Sequence, residues 1–348
     1  MTAAIDVTTH LAGTAAAVRS EEMEAAVAPE YGSADMLRVQ SIRRPAIGDA
    51  EVLLRVRAAG VDRGAWHLMT GKPYLMRLMG FGFRRPKNPV IGLEVSGTVV
   101  EVGASVTRFK VGDEVFGIGV GTFAEYARAR EDKLAHKPAA LSFEQAAVSG
   151  ISGTTALQSL RDAGKLQAGQ RVLIIGASGG VGSFAVQLAK AFGAEVTGVC
   201  SGAKADLVRS LGADHVVDYA REDYADGPRR YDLILDIGSN SKLSRLRRAL
   251  APRGTAVFVG GEHGGAVTGG FFERPLMALA LSPFVRQRFA MFMNKEHFAD
   301  LERLAQLFEA GKVVPSVDRV YPLHRAPEAM RELEAGRVRG KLAISVQG

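Results

Sequence analysis

The densest run of chemistry-bearing positions in the chain is Ile174-Ile175-Gly176-Ala177-Ser178-Gly179-Gly180-Val181-Gly182. It joins an apolar strand-like run, Arg171 to Ile175, to a stretch of helical spacing, Gly182 to Phe192. Glycines at such a junction permit a tight turn and bring backbone N–H groups close to phosphate oxygens. The helix N-terminus adds a dipole that favours negative charge. The chemistry implied is capture of a dinucleotide pyrophosphate by Ala177, Ser178, Gly179, Gly180, Val181 and Gly182. The strict fingerprint is G-x-G-x-x-G; Ala177 stands in its first place, with Gly179 and Gly182 in the other two. The alternative is a glycine-rich turn that binds nothing.

Cofactor choice turns on the end of the next strand, Glu195 to Cys200. An acid there would hold a ribose 2′-hydroxyl and repel a 2′-phosphate. The residues that follow are Ser201, Gly202, Ala203 and Lys204, with no acid among them. Ser201 can donate a hydrogen bond and Lys204 supplies a positive charge, so NADPH is expected over NADH. Lys204 as a solvated charge on the next helix is the competing reading. Cys200 is expected to pack beside the adenosine rather than react.

The elements that must position these groups are spread along the chain. Met23 to Pro29, Glu51 to Ala59, Glu94 to Val102 and Glu114 to Ile118 have strand character between Gly, Asp and Pro turn signals, which suggests a barrel-like β domain. Ser142-Phe143-Glu144-Gln145 reads as a capping box opening a helix, and a second helix is expected around Gly153 to Ala163. From Arg171 the rhythm alternates. The second strand precedes a helix over Ala203 to Leu211, and His215 to Asp218, Tyr231 to Asp236 and Thr255 to Gly260 read as further strands. Such alternation implies a parallel, doubly wound α/β sheet. Toward the end, His297 to Ala310 and Ala326 to Ala335 read as helices, Val313 to Tyr321 as extended and Lys341 to Val346 as a strand.

Composition narrows the function classes. The 348 residues suggest about two domains, 47% are hydrophobic, and Gly is abundant at 40. A net charge of +7 suits an anionic cofactor. No compact Lys/Arg run points to nucleic acid, although weak RNA affinity stays open. One cysteine, Cys200, excludes an internal disulfide and a Cys-rich zinc site. Pro275 to Val285, the longest strongly apolar stretch, is too short to span a bilayer. Residues 1–22 show no signal-peptide pattern and read as a loose extension or disordered arm, with Met23 as an alternative start; a cytoplasmic protein is expected.

The Gly176 to Gly182 string, the turn Gly92-Leu93-Glu94-Val95-Ser96-Gly97 and Gly112-Asp113-Glu114-Val115-Phe116-Gly117 together resemble the medium-chain dehydrogenase/reductase superfamily, and within it the zinc-free quinone oxidoreductase branch. The resemblance runs over nearly the whole chain from Met23 onward. It implies a GroES-like β-rich catalytic domain made of residues 23–146 and 298–348. A Rossmann NADPH-binding domain, residues 147–297, would be inserted between, with the active-site cleft at the junction. It also implies a homodimer joined near Arg288 to Met293. By the same resemblance Thr155 lies near the nicotinamide, Tyr219 near the adenosine, and Asp236, Ile237 and Gly260 at strand ends along the cofactor.

Zinc-dependent relatives need a Cys after an Ala-Ala-Gly-Val turn and a Gly-His-Glu turn. Here Ala58-Ala59-Gly60-Val61 is followed by Asp62, and the second turn reads Gly92-Leu93-Glu94. Asp62, His67 and Glu94 offer no thiolate, so no metal is expected. Hydride delivery to an electron-poor quinone or enone remains feasible without a Lewis acid. Asp62, often Asn in relatives, would accept a substrate hydrogen bond or stay protonated and donate one. Trp66 and Tyr74 would wall a site for a small apolar or aromatic carbonyl compound, Tyr74 being a second proton source. His67 would relay protons, and many relatives draw the proton from water instead. Lys72 to Asn88 and Gly269 to Phe292 are expected to set substrate choice. The function expected is an NADPH-dependent quinone or enone reductase. Its rivals are a dedicated biosynthetic double-bond reductase and a non-catalytic NADPH sensor or RNA-binding protein.

Overall fold

The computed structural model describes residues 21–238, 241–260, 273–281 and 285–346. The expected extension up to residue 20, Gly261, and much of the Gly269 to Phe292 segment lie outside the described residues.

The first half of the chain is β-rich. Strands β1 (Glu22–Val27) and β2 (Arg38–Arg43) form a two-stranded antiparallel sheet. Strand β3 (Glu51–Val61) enters the main sheet and ends at helix α1 (Arg63–Thr70). Strands β4 (Glu94–Val102), β5 (Glu114–Ile118), β6 (Tyr126–Arg130) and β7 (Leu134–His136) follow. Alternation decides the faces: Val52, Leu54 and Val56 point into the core while Arg55 and Arg57 face out.

Helices α2 (Phe143–Ala147) and α3 (Gly150–Gln158) lead out of this sheet. The capping box at the start of α2 forms as expected, with Ser142 and Gln145 satisfying each other's backbone N–H. Helix α3 starts three residues before the expected Gly153, and Ser159–Ala163 forms a separate π turn.

A parallel sheet follows. It holds β8 (Arg171–Ile175), β9 (Glu195–Cys200), β10 (His215–Asp218), β11 (Tyr231–Asp236), β12 (Leu250–Phe258) and β13 (Arg288–Met291). Their spatial order, β10-β9-β8-β11-β12-β13, is the doubly wound order with its switch point between β8 and β11. Helices α4 (Gly180–Ala191), α5 (Ala205–Ser210), α6 (Leu243–Ala249) and α7 (Glu273–Leu281) connect the strands. One apolar layer gathers Ile174, Phe184, Leu188 and Leu235, and a second on the opposite face gathers Leu173, Ile234, Leu246 and Phe258.

The chain then returns to the first unit. Helix α8 (Phe298–Glu309) packs Leu304 and Phe308 against Phe184. Strand β14 (Val317–Pro322), helix α9 (Ala326–Glu334) and strand β15 (Lys341–Ser345) complete the main antiparallel-and-mixed sheet, order β14-β15-β3-β4-β5-β7, with β6 on β3.

The sequence reading missed α1, β2, β6, β7, α6 and α7. Strand β6, Tyr-Ala-Arg-Ala-Arg, buries only alanines and shows its arginines to solvent, so its apolar signal is weak. Strand β12 begins at Leu250 rather than Thr255, and its pairing with β11 shifts register before Leu233, next to Pro252 and Gly254.

The exception in the glycine fingerprint has a packing reason. Ala177 is fully buried, and Gly198 in β9 lacks the side chain that would meet it. A Cβ on Gly198 would sit 3.0 Å from Ala177 Cβ and 2.4 Å from Val208 Cγ1. Gly198→Ala should therefore destabilise the fold by about 1–3 kcal/mol through overpacking. Adding Ala177→Gly should recover part of that loss, as read by denaturant unfolding; full recovery or none would refute this packing account.

Candidate active site

The glycine-rich turn lies where β8 ends at the switch point. Gly176 has φ +90°, a left-handed conformation that side chains resist, and a Cβ on it would meet Gly238 N at 3.0 Å. Gly182 lies so close to the turn that a Cβ would stand 2.1 Å from Gly176 O. Gly179 is the N-cap of α4 and offers no side-chain cap. The N–H groups of the first turn therefore lack both an intrahelical and a side-chain acceptor, which suits a pyrophosphate. A cleft of about 300 Å³ opens over this turn, lined by Ser178, Gly179, Gly180, Val181, Lys204 and Ile237 on one side and by Asp62, Arg63 and Lys341 on the other.

Behind the cleft lies a buried ion pair. Lys341 Nζ bonds Glu94 Oε2, with the two side chains 3% and 0% exposed. Glu94 Oε1 accepts from the N–H groups of Ile151 at 2.8 Å and Ser152 at 3.1 Å, in the first turn of α3. A carboxylate there satisfies orphan donors and meets the positive end of the helix dipole. This explains the early start of α3. Two glycines make room for the pair. A Cβ on Gly60 would lie 2.5 Å from Glu94 Oε2, and one on Gly180 would lie 2.7 Å from Lys341 Cδ.

Asp62 adjoins the pair. It is the N-cap of α1, its Oδ1 accepting from Ala65 N at 2.8 Å. The residue is 6% exposed, and Oδ2 is buried without a hydrogen-bond partner. Burial pushes its pKa up to about 7, helped by the nearby Glu94 charge and opposed by Lys341.

Other expected residues lie elsewhere. Trp66 Nε1 donates to Glu334 Oε1 at 2.9 Å, away from the cleft lining. His67 Nδ1 is 2.6 Å from Lys72 O, and Tyr74 lies under the Arg77 guanidinium at 4.7 Å. Helix α1 presents Arg63 and Gly64 to the cleft and turns Trp66 and His67 from it. Thr155 accepts from Asn294 Nδ2 at 3.1 Å. Asp236 is fully buried at the end of β11, Gly260 packs against Ile237 O, and Tyr219 is largely exposed beyond β10. Ser201 is half-buried at the end of β9, and Cys200 is buried in the core, where burial pushes its thiol up.

Lys204 does line the cleft, but its Nζ donates to the carbonyls of Gly336 and Val338, both at 2.8 Å. Burial lowers its pKa. Two groups near it escaped the sequence reading. Arg339 reaches Asp206 Oδ2 at 2.7 Å and Ala203 O at 3.2 Å. Asp218 approaches from β10, its Oδ2 2.6 Å from where a Gly202 Cβ would be. The signal for Arg339 was the run Arg337-Val338-Arg339-Gly340-Lys341 before an apolar strand. Asp218 had none, because only strand pairing brings it beside β9.

Comparison with known proteins agrees with this fold. Residues 48–139 match the alcohol dehydrogenase GroES-like domain, and residues 211–344 match a domain described as zinc-binding dehydrogenase. The chain is 34% identical to the mitochondrial NAD(P)H oxidoreductase RTN4IP1 of Mus musculus, over 94% of this chain and 90% of that protein. It is 33% identical to the chloroplastic NADPH-dependent alkenal/one oxidoreductase of Arabidopsis thaliana, over 95% and 81%. The quinone oxidoreductase of Coxiella burnetii superposes with TM-score 0.80 at 27% identity, over 94% of this chain and all of that one. The donor set does not fit zinc. Among the described residues no three His, Cys, Asp or Glu side chains are grouped to hold a metal, and Glu94 is committed to Lys341 and α3.

The raised Asp62 pKa has a stability consequence. The fold holds this proton up to about pH 7, whereas the unfolded chain releases it in the ordinary carboxylate range, near 4. The group's contribution is full below about 4 and is lost as pH rises to about 7, at ~1.4 kcal/mol per pKa unit. Asp62→Asn keeps an N-cap acceptor and removes the slope. Its stability relative to wild type should rise between about pH 4 and 7 in urea unfolding; a constant difference would contradict the raised pKa.

Proposed function

The chain belongs to the medium-chain dehydrogenase/reductase superfamily, in its quinone oxidoreductase-like branch, and from that premise we propose that it is a zinc-independent NADPH-dependent reductase acting on a quinone or enone-type acceptor. One observation carries the reading: the uncapped N-terminus of α4 and the buried Asp62 carboxyl line the same cleft. Ala177 and Gly182 shape the turn; Ser178, Gly179, Gly180 and Val181 hold the pyrophosphate; Ile237, Asp236 and Gly260 bound the strand ends. Thr155 supports the nicotinamide end, and Tyr219 and Ser201 the adenosine end. When bound, the reduced nicotinamide supplies hydride. The protein orients the acceptor and excludes water from a narrow cleft. The names of the Arabidopsis and Coxiella relatives support an enone or quinone as acceptor.

Lys204 and Arg339 favour a 2′-phosphate, and Ser201 adds a donor. NADH use is the second reading, and Asp218 favours it, since a carboxylate beside β9 suits a 2′-hydroxyl. Its Oδ1 already accepts from Ala220 N, and Oδ2 lies 3.7 Å from Arg221 Nε, which weakens that reading. Of the expected catalytic side chains we retain Asp62 in the reaction and assign Trp66, His67 and Tyr74 to its support. We further propose a cytoplasmic homodimer joined through the edge strand β13. No helix among the described residues is long and apolar enough to cross a membrane.

The test is cofactor oxidation against quinones, enones and simple ketones, with NADPH and NADH in parallel and a chelator control. Turnover should prefer NADPH, require a quinone or enone and ignore the chelator. Lys204→Ala should raise KM for NADPH by about tenfold, the worth of one hydrogen bond to a charged group, and leave KM for NADH nearly unchanged. Faster turnover with NADH would sink the cofactor assignment, and chelator-sensitive turnover the zinc independence.

A further inference from the structure

Three titratable side chains converge in the buried wall of the cleft: Asp62 from the end of β3, Glu94 from β4 and Lys341 from β15. Two are acids and one is a base. If both acids were ionised, this wall would hold a net negative charge out of water, at high cost. One carboxyl must keep a proton. Glu94 accepts two backbone N–H bonds and the Lys341 ammonium, donors that favour its charged form. Asp62 accepts only from Ala65 N, and its Oδ2 has no partner. The proton therefore belongs to Asp62. The other charges lining the cleft are Arg63 and Lys204; Lys204 is held by two carbonyls.

We propose that Asp62 is the acid of this site, kept protonated by the buried Glu94–Lys341 pair, and that it delivers the proton that completes reduction of the acceptor. The proposal rests on the reductase reading above. For an enone, two electrons and one hydrogen arrive at the β-carbon as hydride, and the C=C pair moves toward the carbonyl as an enolate. The Asp62 O–H bond then breaks as a C–H bond forms at the α-carbon. The carboxylate left behind recovers its proton from water between turnovers. Asp62 is a catalytic residue in this scheme, whereas Glu94 and Lys341 are positioning residues.

Two measurements test it, one of them independent of turnover. Infrared difference spectra of the cofactor-free protein should show the carbonyl stretch of a protonated carboxylic acid that titrates near pH 7, in line with the raised Asp62 pKa. Asp62→Asn should abolish the band. The same variant should reduce 2-cyclohexenone about 10²- to 10⁴-fold more slowly, the usual worth of a positioned acid. Its KM for NADPH should be unchanged, and the wild-type fall in rate above about pH 7 should disappear. Glu94→Gln covers the case in which Asp62→Asn misfolds. It leaves Lys341 to pair with an ionised Asp62, so the band and the falling limb of the rate should move together to lower pH. Absence of the band in wild type overturns the proposal, as does wild-type enone reduction by Asp62→Asn with an unaltered pH profile. A wild type that shows the band but reduces neither enone nor quinone overturns the reductase reading and the donor role with it, while the proton stays assigned to Asp62.

Discussion

The Glu94–Lys341 ion pair is the interaction on which the rest of this structure depends. It ties together β4, the first turn of α3 and the first residue of β15, which come from widely separated parts of the chain. Burying two charges is costly, and their mutual attraction offsets that cost only with good geometry and further hydrogen bonds. Both conditions hold here. The helix N-terminus completes Glu94, and Gly60 and Gly180 remove the atoms that would block the approach. A buried pair of this kind is weak evidence for stability but a strong constraint on register. Removing either partner strands a charge, so β3, β4, α3, α4 and β15 must meet in one arrangement.

That arrangement also builds the cleft. The C-terminal segment before β15 crosses to the glycine-rich turn, where Gly340 N donates to Ser178 O at 2.8 Å. On the same side, Lys204 grips the carbonyls after α9, and Arg339 reaches back to Asp206 and Ala203. The wall opposite the glycine-rich turn thus combines Asp62 and Arg63 with residues from the last tenth of the chain. Many of the other ion pairs are exposed. Pairs such as Arg43–Glu21 and Arg331–Asp35 are of the solvated kind that adds little to stability.

Legibility differed between the two sheets for a physical reason. In the parallel sheet both faces are covered, so Val172–Ile175 of β8 and Leu233–Leu235 of β11 are continuous apolar runs and β9 is buried from Val196 to Cys200, which stands out against helical neighbours. In the β-rich part, one-sided strands with small residues inside, such as β6, carry little signal. Local chemistry was readable wherever it was self-contained. The Ser142–Gln145 capping box and the glycine turn are short-range devices, and both lie where their residues imply. Trp66 and His67 meet edge to edge at 5.1 Å on α1, and which α1 residues line the cleft is set by the helix's orientation after its Asp62 N-cap, which local spacing does not encode.

By itself the sequence determined the doubly wound cofactor unit, the β-rich unit around it, the turn that would hold a pyrophosphate and the lack of zinc-binding thiolates. Each follows from residues close together in the chain, where periodicity, turn chemistry and composition act directly. Only the tertiary structure decided that Glu94 pairs with Lys341, that Asp62 is sealed beside them, and that Asp218 and Arg339 flank the end of β9. These are long-range juxtapositions. They depend on strand order, on the direction of each side chain and on the space that glycines leave open, and none of these is encoded in local spacing.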